Sequence, residues 1–199
     1  MSRIFRLFDA HAAEWDAEFR RVRHEFSRRL QCQRGCSMCC SQMFTISFLE
    51  VAAIREAVAA MLGLERRRLQ ASAPSYLEGA RELGIVDELD GEPSVSPRPG
   101  LRLPCPALQD DACSIYAARP IICRKWGIPV FDPSKPDRLH ACELNFQEGE
   151  SVDAGGIIDR QSVLLEAWVE VKERAAAELQ PSRLRWTIAE AILIAAPDD

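Results

Sequence analysis

The chain has 199 residues, 47% of them hydrophobic and 28% charged, the balance of a soluble globular protein with apolar material for one sizeable core. A single domain over 1–199 is the expectation at this length. Its 25 basic and 30 acidic residues give a net charge of −5, which argues against a non-specific nucleic-acid binder and gives an anionic membrane nothing to attract. The opening residues, Met1 to Asp9, are interspersed with charge and lack the apolar run of about 7–15 residues that a secretory signal needs. The most apolar tract, Ile188 to Ala196, is interrupted by Glu190 and falls far short of the roughly 20 residues that cross a bilayer. The expected address is the cytoplasm, where thiols are kept reduced.

Along the chain, Phe8, Ala12, Trp15, Phe19, Val22, Phe26 and Leu30 recur at steps of three and four, which predicts an amphipathic helix over Phe8 to Leu30. Core packing is the expected role of its stripe. Ser47 followed by Glu50 carries the side chains that satisfy the free amides of a first helical turn, so a second helix is expected from there to Leu62, stopping at Gly63. A third stretch, Glu65 to Glu82, has Pro74 near its middle, where a break is expected. Residues 89–100 carry three prolines and two glycines without periodicity and read as a loop. Leu101 to Leu103 and Ser114 to Tyr116 are candidates for two short strands around a turn at Gln109 to Ala112. From Cys123 to Pro136 the sequence reads as irregular. A long helix is expected from Asp159 to Leu179, with Val163, Leu164, Ala167, Val171 and Ala175 on one side. A last helix follows from Ser182, with Leu184, Ile188, Ala191, Ile192 and Ala195. The expected fold class is mainly α, with helices surrounding an irregular cysteine-rich centre and at most a short β-hairpin.

All eight cysteines lie between residues 32 and 142, and in a reducing compartment such a cluster points to metal or catalysis rather than to a disulfide framework. Cys32-Gln-Arg-Gly-Cys36-Ser-Met-Cys39-Cys40 sets three thiols at separations of four and three, with a fourth adjacent. Thiols spaced this way on a turn can converge on one ion, and Gly35 removes the side chain where the turn is tightest. Adjacent side chains generally diverge, so Cys39 and Cys40 are not both expected on the same ion; one serves a second centre or packs as a small hydrophobe. Cys105, Cys113 and Cys123, separated by eight and ten, suit a site whose ligands arrive from several turns. Cys142 adds a further thiol, with His140 beside it as a lone imidazole candidate. His11 and His24 fall in the first helix, where surface or packing roles are expected.

Together the Cys-x-x-x-Cys-x-x-Cys-Cys run at 32–40, Pro-Cys-Pro at 104–106 and Cys-Ser-Ile-Tyr-x-x-Arg-Pro-x-x-Cys-Arg at 113–124 resemble the cysteine-cluster proteins of the YkgJ kind, described as zinc- or iron-chelating domains. Flagellin lysine N-methylases carry a similar cluster. The resemblance covers residues 32 to about 142, leaves the terminal helices outside, and implies metal or iron–sulfur binding by Cys32, Cys36, Cys39, Cys40, Cys105, Cys113 and Cys123, with Cys142 joining them. Arg119 and Arg124 belong to the same motif. A guanidinium there either offsets thiolate charge or binds an anion, or else serves as a structural ion pair or carbonyl cap.

An all-cysteine set with few histidines, together with the resemblance to the methylase subgroup, tilts the expected cofactor toward a [4Fe-4S] cluster, with four-cysteine zinc the alternative. The leading reading is a metal-binding protein. The alternatives are a metal-dependent enzyme such as a protein lysine methyltransferase, or an accessory redox or metal-handling protein that docks a protein partner through its terminal helices. The spacing at 32–39 equals that of radical S-adenosylmethionine enzymes. That class is discounted, because the motif follows a helix, Met38 stands where an aromatic is usual, and no alternating strand and helix pattern follows.

Overall fold

The computed structural model describes residues 3–33, 35–96, 100–146 and 153–195. Its elements in chain order are α1 (Arg3–Glu25), β1 (Ile46–Ser47), α2 (Phe48–Ala59), α3 (Gly63–Glu82), β2 (Val86–Leu89), β3 (Glu92–Val95), β4 (Leu108–Gln109), β5 (Ala112–Cys113), α4 (Ile121–Lys125), β6 (Val130–Phe131), β7 (Leu139–His140), α5 (Gly155–Leu179), β8 (Arg185–Trp186) and α6 (Ile188–Leu193). The fold is mainly α, and among the described residues the strands form only two-stranded antiparallel pairs: β1–β8, β2–β3, β4–β5 and β6–β7. No helix among them is long and apolar enough to cross a membrane. The chain divides into two compact units, Met1–Gln33 with Ile121–Gln180, and Arg34–Pro120 with Pro181–Asp199.

In the first unit α1 buries Ile4, Phe8, Ala12, Trp15 and Val22, the stripe the apolar spacing predicts, extended one turn toward the N-terminus. The helix stops at Glu25 rather than Leu30. Residues 26–29 form a turn in which the Arg29 amide bonds to the Phe26 carbonyl at 2.9 Å, and Leu30 folds back to join Val22 and Ile128 in a small cluster flanked by Phe19, Phe26 and Phe146. Burial of that cluster favours the turn over another turn of helix. The opposing helix α5 begins at Gly155 and presents Ile157, Gln161, Leu164 and Ala175, whereas Val163, expected on the core side, is 60% exposed. The apolar reading skipped Gln161 because it is polar. Its carboxamide is nevertheless fully employed, donating to the Pro129 carbonyl at 2.9 Å and accepting from the Phe131 amide at 2.8 Å, so α5 holds the β6–β7 hairpin. That hairpin and the short helix α4 occupy the stretch expected to be irregular.

His11 completes this core. Its ring stacks on Trp168 (centroids 5.3 Å apart, planes at 6°), and its Nε2 accepts a hydrogen bond from Trp15 Nε1 at 3.0 Å. Burial holds its pKa below the ordinary histidine value, with Glu14 opposing weakly. The packing role expected of His11 is the one it has.

In the second unit Ser47 caps α2 with the expected reciprocal bonds: its Oγ accepts from the Glu50 amide, and its own amide donates to the Glu50 carboxylate at 2.6 Å. The helix ends at Ala59, and Gly63 opens α3 instead of closing α2. Pro74 does not break α3. Leu69, Ala73, Tyr76, Leu77 and Ala80 form one continuous buried face across it, and their burial outweighs the roughly 3 kcal/mol a helical proline costs. A second reciprocal cap, Thr187 with Glu190, starts α6 at Ile188, later than the expected Ser182; Leu184, expected on its apolar face, is 49% exposed ahead of β8. The expected loop at 89–100 begins as the β2–β3 hairpin, whose turn residues Asp90 and Gly91 both have positive φ (54° and 75°), a conformation that matches strand twist. Residues 97–99 lie outside the described residues.

Candidate metal centre

Five thiols belong to the second unit. Residues Met38–Ser41 form a single 3₁₀ turn, with the Cys40 amide bonded to the Ser37 carbonyl at 2.9 Å and the Gln42 amide to Cys39 at 3.3 Å. Alongside it runs the extended segment ending at Cys105: the Cys105 amide donates to the Cys40 carbonyl at 2.6 Å and the Leu103 amide to Ser41 at 3.4 Å. Residue 105 is thereby fixed beside 39 and 40 across 65 residues of chain. From there the chain turns into the β4–β5 hairpin, which pairs Cys113 with Leu108. Both the amide and the hydroxyl of Ser114 tie back to the Ala107 carbonyl, at 2.8 and 2.9 Å. The strands expected at 101–103 and 114–116 thus sit closer to the turn, because Asp110 and Asp111 both take positive φ (48° and 56°) and close it tightly.

Electrostatics show which thiols lie within reach of one another. The Cys39 thiol is pushed far up by a hydrogen bond with Cys40 and by burial. Cys105 is pushed up to about 12 by burial, with the charges of Cys113 and Cys39 adding to it. Cys113 is raised by burial and by Cys39, and its backbone contact with Ile115 and the charge of Arg119 pull it back. Cys39 and Cys40 do not diverge as expected of neighbours. Within the 3₁₀ turn the two thiols are close enough to hydrogen-bond. Cys36 lies half-buried in the loop before this turn, just past Gly35, which has φ +90° as the tight turn requires.

Arg119 has the carbonyl-cap role considered for it. It caps the Tyr116 carbonyl at 2.9 Å with its guanidinium 4.0 Å over the Tyr116 ring, and its charge reaches Cys113. Arg124 is a buried ion-pair residue, bonded to Asp16 at 2.5 Å.

Cys32, Cys123 and Cys142 belong to the first unit. Cys32 Sγ lies 3.4 Å from the side-chain amide of Asn145, and a Cβ built on Gly127 (φ +102°) would sit 2.5 Å from that sulfur. Cys123 lies within α4, four residues before Gly127, and the Cys142 carbonyl accepts from the Asn145 amide at 2.8 Å. His140 pairs with Val130 in the hairpin, and its Nε2 is buried without a hydrogen-bond partner. Asn145 is the residue that the sequence reading missed. Apolar periodicity cannot detect it; the only hint is its place three residues after Cys142.

All eight cysteines are free thiols. Their chemistry fits a zinc or iron centre: soft sulfur donors, half-buried, and in the second unit unaccompanied by histidine, since His11, His24 and His140 all belong to the first. Among the described residues no group of three or more Cys, His, Asp or Glu side chains is placed to hold a metal ion.

The second unit's thiols thus lie on the loop and turn at 36–40 and on the segment and hairpin at 105–113. The chain belongs to the CxxCxxCC family, described as "Putative zinc- or iron-chelating domain", whose model matches residues 31–136. No curated protein and no solved structure matches it.

Proposed function

We propose that the chain is a metal-binding protein that carries a [4Fe-4S] cluster on thiolates of its second unit, drawn from Cys36, Cys39, Cys40, Cys105 and Cys113, with Cys32, Cys123 and Cys142 as the sulfur ligands of the first. The observation that carries this reading is the bond from the Cys105 amide to the Cys40 carbonyl at 2.6 Å, which sets Cys105 beside the 39–40 turn across a long stretch of chain, just ahead of the hairpin that carries Cys113. A set with sulfur donors and no imidazole favours a cluster, and four-thiolate zinc is the competing occupant. Such a centre would join the 36–40 turn to the 105–113 hairpin and contribute folding free energy there. Arg119 would offset part of the thiolate charge.

Metal and acid-labile sulfide analysis, with a visible spectrum, on protein purified without oxygen tests this. Brown protein with iron and sulfide in near-equal amounts is the expected result. Colourless protein with tight zinc would replace the cluster with a structural zinc centre, and protein with neither metal would overturn the reading.

A further inference from the structure

Within the first unit, the Cys32 sulfur sits in a pocket made by residues outside the cysteine pattern. Asn145 is only 3% exposed, and its carboxamide uses every group it has: Oδ1 accepts from the Gln31 amide at 2.7 Å, while Nδ2 donates to the Gly127 carbonyl at 2.5 Å and to Cys32 Sγ at 3.4 Å. One side chain therefore fixes the backbone just before Cys32, the wall opposite, and the sulfur itself. Gly127 forms that wall because any side chain there would meet Sγ at 2.5 Å. Each of the three segments is anchored by the residue next to the pocket, since Leu30, Ile128 and Phe146 all belong to one apolar cluster. Phe146 is tied further by its amide to the Arg29 carbonyl at 3.2 Å.

Sulfur is a weak acceptor, and a buried carboxamide whose role was only to tie loops together would be better satisfied by a second carbonyl. We propose that Asn145 and Gly127 are positioning residues for the Cys32 sulfur as a metal ligand: Gly127 leaves it room, and the Asn145 N–H aims it and draws electron density from it. This rests on the reading of Cys32 as a metal ligand given above. Groups that orient a ligand in this way commonly change metal affinity by 10- to 100-fold when removed.

The test is zinc(II) affinity, measured by competition with a chromophoric chelator, for the full chain, Asn145→Asp, Asn145→Ala, Cys32→Ser and the two double variants, with melting of each metal-free protein as the check on folding. Asn145→Asp keeps the oxygen that holds Gln31 and removes the donor. The expected result is about a tenfold loss of affinity in either Asn145 variant and no further loss when Cys32 is already serine. Unchanged affinity in folded variants would overturn the inference, as would an equal loss in both backgrounds, which marks a purely structural role. Failure of both Asn145 variants to fold would assign the residue to the fold alone and overturn it too. A full chain that takes up neither zinc(II) nor, on reconstitution with iron and sulfide, a cluster would instead remove the metal-ligand reading, and this inference with it; where only the cluster forms, the same comparison is read on its iron content.

Discussion

The α1–α5 pair and the 100–120 segment are held together by different means. Along α1 and α5, Ile4, Phe8, Trp15, Val22, Ile157 and Leu164 are buried, and His11, Glu18 and Gln161, the polar residues among them, have hydrogen-bond partners. Between residues 100 and 120 the buried side chains are Pro106, Ala107, Ile115 and Pro120, all of them small or isolated; what fixes the chain there is a set of turns and the bond from Cys105 to Cys40. Apolar area stabilises the first region whatever the metal content. The second buries too little to hold its shape by burial alone, which is where a metal contributes most.

The comparison can be broken or sharpened in several ways. Trp15→Ala removes the largest fully buried side chain of the first region and should cost about 3–5 kcal/mol in thermal or denaturant unfolding, while leaving metal content per folded chain unchanged. Stripping metal with a chelator should accelerate hydrogen exchange across 101–120 and leave α1 and α5 protected; equal acceleration in both would erase the distinction.

Acid should act on both regions. Each bound thiol must first lose its proton, and Cys39, Cys105 and Cys113 all hold theirs tightly, so metal affinity should fall steeply as pH falls, as a titration against a chelator would show. In the helical pair, the folded state depresses the His11 pKa, so its contribution to stability is present above the unfolded value of about 6.5 and is lost as pH falls through the folded one. Protonation would cost the bond from Trp15 and place a cation in a box already bordered by Lys125 over Trp15 and Lys172 over Trp168, with the Glu14 carboxylate acting in the opposite sense. Melting of the metal-free protein should weaken as pH falls below about 6.5, and His11→Gln should flatten that dependence. The smallest effect is expected for Ser47→Ala, which removes one cap bond from α2 and should cost about 1 kcal/mol in the same melts.

The sequence made the helices legible where burial and capping follow short-range rules: the α1 stripe and the Ser47 cap can be read directly. It was misleading where a polar residue takes a core position, as with Gln161, or where packing overrides a local breaker, as with Pro74. The donor types of the site were legible because cysteine spacing is a chemical pattern. Their grouping was not, because the Cys105 to Cys40 bond and the meeting of Cys39 with Cys40 depend on chain reversals that no local pattern encodes. Asn145 escaped for the same reason: its partners, at positions 31, 32 and 127, are distant in sequence.

The most direct test of the central claim, that thiols of the second unit hold the metal, is metal content per chain in the Cys39→Ser/Cys105→Ser/Cys113→Ser triple variant, with far-UV circular dichroism to monitor the helices. The account predicts that the metal of that unit is lost while the helical signal is kept. Metal content equal to that of the unaltered chain would contradict it.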